Sequence, residues 1–195
     1  RSAFGNENEL KSMIKTYKNK GVGIIADVVI NHRGGATRWT DFPTETNPYD
    51  GKSYSMTLSD ICNTDEYNTS ADAASERSTY GKATGVADTG DNFNGLRDLD
   101  HTSTNVQNNV KAYLKYLLNY LGYAGFRYDM VKGYAGRFTG IYNADANPIY
   151  SVGEYWDGNA SNVENWLNAT KVNGNIESAA FDFPQKYLMN NNLSN

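Results

Sequence analysis

The chain has 195 residues and a formal net charge of −4, from 18 Lys and Arg against 22 Asp and Glu. It carries no cluster of basic residues and no apolar run near the ~20 residues of a membrane span, so the sequence indicates neither a nucleic-acid nor a membrane partner. The only cysteine, Cys62, has no intrachain disulfide partner. The 15 Tyr and three Trp supply flat faces with polar edges, which suit an uncharged ligand.

The first predicted unit is a helix followed by a strand. Asn6 and Glu9 stand at capping-box spacing and predict the start of a helix over 6–21, which ends at Gly21. Residues 22–30 are β-branched and apolar on both faces. That composition is typical of a parallel strand covered on both sides.

The same order recurs along the rest of the chain. Two further helix starts are predicted by pairs at capping-box spacing, Thr104 with Gln107 and Ser161 with Glu164. The predicted helices cover 103–121, 134–142 and 161–168, the predicted strands cover 124–130, 149–154 and 178–183, and Pro184 suits the first turn of a last helix.

Strands that alternate with helices predict an α/β fold with right-handed βαβ units and a parallel sheet. The four predicted strands fit either an open doubly wound sheet or about half of a (β/α)₈ (TIM) barrel. A complete barrel takes about 250 residues, so we favour a partial barrel with about four parallel strands.

Residues 35–100 interrupt this alternation. The segment is rich in Asp, Asn, Thr, Ser and Gly and has little helical period, while its aromatic residues argue against disorder. We therefore expect three parts: a first barrel part over 1–34, an inserted domain over 35–100, and a second barrel part over 101–195.

Polar residues follow the predicted strands at their carboxyl ends, where α/β proteins place their sites. Arg127 and Asp129 are two residues apart on a strand and share a face, so the guanidinium is expected to keep Asp129 ionised. Glu154 is followed by Tyr155 and Trp156, whose apolar surface favours the protonated acid. Two carboxylates in such different settings suit retaining glycoside hydrolysis, although an Arg/Asp pair on a strand is often only structural.

Three segments together carry a specific resemblance. Asp27-Val-Val-Ile-Asn-His32, the segment GFRYDMVKG at 125–133 and the segment VGEYW at 152–156 resemble, in order and spacing, three motifs of the α-amylase family, glycoside hydrolase family thirteen. Residues 98–101 and 180–184 are also similar. The continuation at 132–134 and the region of Cys62 resemble plant α-amylases and bacterial maltooligosaccharide-forming amylases most.

The resemblance implies roles for individual residues in hydrolysis of an α-1,4-glucan. The implied catalytic groups are the nucleophile Asp129, the acid/base Glu154 and Arg127, which positions the nucleophile. Contacts to sugar are implied for His32, Lys132 and Trp156. Asp27 would be a buried partner of Arg127, Tyr155 is as readily a core residue, and Lys132 and Trp156 are also read as ordinary surface residues.

The resemblance also implies a calcium ion between the insert and the barrel, held by oxygen atoms only. The implied ligands are Asn31, Asp88, Asp91, Asp98 and the carbonyl group of Gly133. Asn92 is an alternative to one of the two aspartates in the insert, and both of these are also explained as turn formers. An EF-hand reading of residues 88–99 fails, because its twelfth position is Leu99.

Parts of the family pattern have no match in this sequence. The Asn-His-Asp motif that supplies a third carboxylate, the first two barrel strands and the C-terminal β domain are not found. We therefore expect a fragment that is inactive by itself, from a protein that is secreted and monomeric at full length. An α-glucosidase or transglycosylase, and a non-catalytic carbohydrate-binding or transport homologue, remain alternatives, although intact Arg127, Asp129 and Glu154 speak against a pure binder.

Overall fold

A computed structural model describes residues 4–193 of the chain. The ends of the predicted parts 1–34 and 101–195 therefore lie partly outside the described residues. The α-helices and strands are α1 (Glu7–Asn19), β1 (Ile25–Val28), β2 (His32–Arg33), β3 (Glu45–Thr46), β4 (Ser53–Tyr54), α2 (Ala74–Tyr80), β5 (Arg97–Asp98), α3 (Thr104–Lys115), β6 (Gly125–Tyr128), α4 (Gly136–Ala146), β7 (Tyr150–Gly153), α5 (Ala160–Ala169), β8 (Lys171–Val172), β9 (Asn175–Ile176), β10 (Ala179–Ala180) and α6 (Phe183–Leu193). A π-helical segment, Tyr116–Leu121, continues α3.

The central sheet has four parallel strands in the order β1-β6-β7-β10, which confirms the predicted α/β alternation. Each strand lies within its predicted range but is shorter. The residue just after each of three strand ends still donates a backbone hydrogen bond to its neighbour: Asp129 to Val28, Glu154 to Tyr128, and Phe181 to Gly153. The predicted ranges were longer because the apolar pattern continues beyond the paired residues.

The helix caps agree with the prediction at one position and differ at two. Asn6 and Glu9 form the predicted capping box of α1. The Thr104 prediction is wrong, because the turn before α3 makes Ser103 the cap, with its side chain accepting from Val106. The Ser161 prediction is also wrong: the side chain of Asn159 caps α5 by accepting from the Ser161 amide.

The core lies between the sheet and the helices. Val28, Phe126 and Tyr128 are fully buried on the strands, and Trp166 of α5 belongs to the same buried cluster. Gly153 is required for this packing, since a Cβ at that position would lie 2.3 Å from Cη2 of Trp166. Gly153 also pairs with Tyr128, so the ends of β7 and β6 lie side by side.

Residues 35–100 form short elements around a buried ionic centre. Arg97 is 1% exposed; its guanidinium lies 2.7 Å from Asp65 and 2.6 Å from Glu66, and 4.2 Å from the ring centroid of Trp39. β2 pairs with β5 in antiparallel orientation, with His32 opposite Asp98, so the two ends of the segment lie side by side at the sheet.

Among residues 4–193, none of the helices has the length and apolar character needed to cross a membrane.

Candidate active site

The register of the sheet places the predicted polar residues next to one another. On β6, Arg127 lies opposite Asp27 of β1 and opposite Val152 of β7. The backbone amides of Asp129 and Glu154 each extend the ladder by one bond of 2.9 Å beyond the paired residues. Asp129 and Glu154 therefore leave the sheet at neighbouring positions.

Arg127 stands at the centre of this group and contacts three carboxylates. Its Nη1 lies 2.8 Å from Asp27 and 2.6 Å from Asp129, and its Nη2 lies 2.8 Å from Glu154. Burial opposes the charge of Arg127, but the hydrogen bonds to Asp27 and Asp129 outweigh it and raise the pKa of the guanidinium. Because one planar group binds both Asp129 and Glu154, the two carboxylates are held side by side.

Asp27 pairs with Arg127 as expected, but its side chain is 67% exposed and the prediction of a buried partner is wrong. Its strand, β1, is the outer strand of the sheet formed by the described residues, with β6 as its neighbour. The side chain is therefore covered less than those on the inner strands.

The surroundings of Glu154 are more polar than the sequence predicted. Its Oε1 accepts from Arg127, and its Oε2 accepts from the backbone amide of Met130 at 3.3 Å. Tyr155 packs against Trp166 in the manner of a core residue, and its ring thus has a partner other than Glu154. Both oxygens of the Glu154 carboxyl group thus have a hydrogen-bond donor beside them.

Met130 has an unusual backbone conformation at this place. Its φ of +44° is left-handed, which is uncommon for a residue other than glycine. The conformation directs the Met130 amide to Glu154, immediately after Asp129. Backbone strain of this kind is found where surrounding contacts hold a site in one geometry.

His32 lies against this group in a fixed orientation. Its ring stacks on Phe93 with centroids 3.8 Å apart and planes inclined by 10°, and 9% of the residue is exposed. Burial lowers the pKa of His32, while the charge of Asp129 opposes that shift. The side-chain amide nitrogen of Asn31 lies 3.3 Å from Nδ1 of His32 and can only donate. A neutral ring that accepts this hydrogen bond at Nδ1 therefore carries its proton on Nε2.

Lys132 and Trp156 extend the site along the loops after β6 and β7. The Lys132 ammonium lies 3.4 Å from Asp157 and 3.7 Å from Asp91, so it links these loops to the insert. Trp156 is 56% exposed. The Lys132 side chain is 28% exposed, so both side chains reach solvent on the loops that follow Asp129 and Glu154.

Of the residues expected to bind calcium, four lie together. Asn31 donates to Asp98 at 3.2 Å, and its Oδ1 lies so close to Gly133 that a Cβ there would be 2.1 Å away. Burial, strengthened by the charge of Asp88 and opposed by the amide of Phe93, raises the pKa of Asp98 to about 7. Burial also raises the pKa of Asp88, and its buried Oδ2 lacks a hydrogen-bond partner within residues 4–193. Buried negative charge with an unpartnered oxygen fits a cation.

Asp91 is placed differently from these four residues. Its backbone amide donates to the carbonyl group of Lys132 at 2.8 Å, but its side chain is 65% exposed and faces the Lys132 ammonium. In the part of the chain that the structure describes, no three His, Cys, Asp or Glu side chains converge as ready metal ligands. Amide and carbonyl oxygens would have to complete a coordination shell.

Three neighbours of the site were not predicted from the sequence. Phe93 stacks on His32, Asp65 accepts from the backbone amide of Asp98 at 2.7 Å, and the Met130 amide binds Glu154. In the sequence, Phe93 is one of several aromatic residues of the insert. Nothing in the local pattern marked any of the three as part of the site.

Residues 1–193 match the alpha-amylase family, described as "Alpha amylase, catalytic domain", and the chain belongs to that family. The probable alpha-amylase 2 of Arabidopsis thaliana is 35% identical over 202 residues, which are 96% of this chain and 44% of the plant protein. The glucan 1,4-alpha-maltohexaosidase of Bacillus sp. (strain 707) is 25% identical over 228 residues, 98% of this chain and 43% of that protein. The family predicted from three segments is confirmed, and the chain spans less than half the length of these relatives.

Solved structures confirm the fold. An Anoxybacillus alpha-amylase superimposes with a TM-score of 0.65 at 19% identity, covering 98% of this chain and 36% of that one. An alpha-amylase of Geobacillus thermoleovorans, complexed with acarbose, gives a TM-score of 0.61 at 16% identity, covering 93% and 35%. The four-stranded sheet with its helices is thus part of an amylase-type barrel.

Proposed function

We propose that this chain carries two of the three catalytic carboxylates of an enzyme that hydrolyses α-1,4-glucosidic bonds with retention of configuration. The observation that carries the proposal is the single guanidinium of Arg127, which binds Asp129 and Glu154 at 2.6 and 2.8 Å at neighbouring strand ends. Retaining glycosidases need two carboxyl groups about 5 to 5.5 Å apart, close enough for one of them to attack the sugar.

In the first half of the reaction, Asp129 attacks the anomeric carbon while the bond from that carbon to the leaving oxygen breaks. Glu154 donates its proton to that oxygen, and a covalent glycosyl ester forms on Asp129. In the second half, Glu154 removes a proton from water, the water attacks the anomeric carbon, and the ester bond to Asp129 breaks.

Arg127 holds the Asp129 carboxyl group in place, as a nucleophile requires. It also contacts Glu154 and so holds the acid/base beside the nucleophile. The first half-reaction needs a proton on Glu154.

The substrate class follows from the groups around the carboxylates. His32, with a proton on Nε2, and Lys132 would donate to sugar hydroxyl groups, and the exposed Trp156 would stack on a sugar ring. We propose a neutral α-glucan as the ligand. The third carboxylate of the family would come from a part of the protein outside this sequence.

We further propose a calcium ion that joins the insert to the barrel. Asn31, Asp88, Asp98 and the carbonyl group of Gly133 would hold it, and Asp91 would act through its exposed side chain only after that side chain turned inward. Bound calcium would neutralise the buried carboxylates. It would also stabilise the loop that carries Phe93, the ring on which His32 stacks.

The catalytic proposal is tested in the full-length protein with Asp129→Asn and Glu154→Gln. Each change should lower kcat on soluble starch by several orders of magnitude without altering the fold, whereas the exposed control Asp72→Asn should leave it unchanged. Proton NMR of the first product should show the α anomer. Wild-type turnover in Asp129→Asn, or the β anomer as first product, would overturn the mechanism.

The alternative functions give different results in the same assay. An α-glucosidase would release glucose from maltose and fail on a maltooligosaccharide whose non-reducing end is blocked, whereas an internal-acting amylase cleaves it. A carbohydrate-binding homologue would bind maltoheptaose without hydrolysis. Preference for cellulose or for a polyanionic glycan would refute the substrate class.

Location and assembly are proposals as well. We propose an extracellular, monomeric enzyme, although one plant relative bears the name "Alpha-amylase 3, chloroplastic" and so resides elsewhere. Recovery of the activity from culture medium, and elution at monomer mass in size-exclusion chromatography with light scattering, are the corresponding measurements.

A further inference from the structure

The loop after β7 and helix α6 share a stack of aromatic rings beside Glu154. Trp156 lies on Phe183 with ring centroids 5.0 Å apart and planes inclined by 20°, and Phe183 is followed by Tyr187 at 6.4 Å and 30°. Phe183 is 7% exposed, whereas Trp156 is 56% exposed. Phe183 therefore anchors the stack in the core, and Trp156 is its outer member.

Tyr187 holds the indole ring of Trp156 by a second contact. The indole Nε1–H donates to the Tyr187 hydroxyl at 2.6 Å. Stacking on Phe183 restricts the tilt of the indole, and the hydrogen bond restricts its rotation within that plane. An exposed Trp with both restrictions presents a flat apolar surface in one orientation.

The Tyr187 ring also lies close to the loop after β7. A Cβ on Gly158 would lie 3.1 Å from Cδ2 and 3.4 Å from Cε2 of the ring, so a side chain there would require the ring to shift by a few tenths of an ångström. The Lys186 ammonium lies 5.5 Å from the ring centroids of both Trp156 and Phe183. Helix α6 thus supplies both a fixed partner for Trp156 and a hydrogen-bond donor beside it.

We propose that Tyr187 is a positioning residue that sets the Trp156 ring for stacking on glucose units of the leaving chain. The inference rests on the proposed function, since it assigns a platform to the substrate of the same site. A ring held in place before binding loses little rotational freedom when a sugar stacks on it. Tyr187 therefore contributes to the affinity for long substrates and not to the bond-breaking step.

The kinetic test compares two substrates in the full-length protein. Maltoheptaose places sugars on both sides of the cleaved bond, whereas 2-chloro-4-nitrophenyl maltotrioside has a phenol as its leaving group and no sugar there. Tyr187→Phe, which removes one hydrogen bond, should raise the KM for maltoheptaose about three- to tenfold. Its kcat, and the KM for the aryl maltotrioside, should stay at the wild-type values.

Two further variants separate positioning from general damage. Gly158→Ala, which pushes the Tyr187 ring aside, should raise the same KM without touching the hydroxyl group. Tyr17→Phe, on α1, is the matched control and should leave both substrates unaffected. A wild-type KM for maltoheptaose in both test variants, or an equal loss on both substrates, would overturn the proposal.

Trp fluorescence, measured without substrate, tests the role of Tyr187 separately from the proposed hydrolysis. The chain has three Trp, and Trp156 is the most exposed of those described, with Trp166 at 4%. In Tyr187→Phe, iodide should quench Trp fluorescence more strongly and the anisotropy excited at the red edge should fall. Unchanged fluorescence refutes the role of Tyr187, whereas a wild-type protein that does not hydrolyse maltoheptaose refutes the proposed function instead.

Discussion

His101 is expected to make the stability of this protein fall between pH 6.5 and pH 4. The ring is 2% exposed; its Nε2 lies 3.0 Å from the carbonyl oxygen of Ile30 and its Nδ1 lies 2.7 Å from the Tyr142 hydroxyl. A neutral ring satisfies both contacts, by donating from Nε2 and accepting at Nδ1. Tyr134 stacks on the ring at 4.4 Å and helps to exclude water.

The magnitude follows from the two protonation equilibria. Burial lowers the pKa of His101 from 6.5 to about 4, against the opposing effects of the Ile30 carbonyl group and the charge of Asp100. The unfolded chain therefore binds the proton first as the pH falls below 6.5, which favours unfolding until the folded state is protonated near pH 4. At 1.36 kcal/mol per pKa unit the loss amounts to about 3 kcal/mol.

The assay is urea unfolding of wild type and His101→Gln between pH 7 and pH 4, followed by Trp fluorescence. The glutamine does not titrate but keeps an N–H group for the Ile30 carbonyl oxygen, so at pH 7 it should cost about 1 to 2 kcal/mol. Asp98, with its raised pKa, and His32 titrate in both proteins and cancel in the difference. Wild type should lose about 3 kcal/mol relative to His101→Gln between pH 7 and pH 4, so the variant should be the more stable of the two at pH 4. Parallel stability curves for the two proteins would refute the argument.

Three further outcomes are expected. Gly153→Ala should destabilise the fold by about 1 to 3 kcal/mol in urea unfolding, because its Cβ would lie 2.3 Å from Trp166 and force the core apart. Arg97→Met should lower the unfolding free energy by about 3 to 5 kcal/mol, because it leaves the buried carboxylate of Asp65 unpaired, while the exposed control Arg137→Met should change it little. Removal of calcium with EDTA should lower the Tm of the full-length protein, and an unchanged Tm together with no metal in elemental analysis would refute the calcium site.

The sequence alone determined the order and kind of the main elements, because their signals are local. Apolar residues at helical spacing, β-branched runs and Gly at helix ends act within one element, so the four helix-and-strand units could be predicted. The first residue of a helix was harder to predict, because more than one residue suited to cap the helix lies near the start of α3 and of α5. At α3 the turn before the helix selected Ser103 over Thr104.

The sequence alone also brought Asp129 and Glu154 together, since parallel strands place their carboxyl ends at one edge of a sheet. It did not determine what surrounds each of them. The contact of Arg127 with Glu154 depends on the register between β6 and β7, and the Met130 amide reaches Glu154 only through a left-handed backbone. Both contacts made the environment of Glu154 more polar than its aromatic neighbours in sequence indicated.

Contacts made by irregular segments were decided only by the tertiary structure. The stack of Phe93 on His32, the burial of Arg97 with Asp65, and the bond from Trp156 to Tyr187 each join residues far apart in sequence. Loops have no period that would align one segment with another, so such pairs form only when the sheet and helices fix where each loop begins and ends. The strands thus determine which carboxylates meet, and the packing of the loops determines what binds beside them.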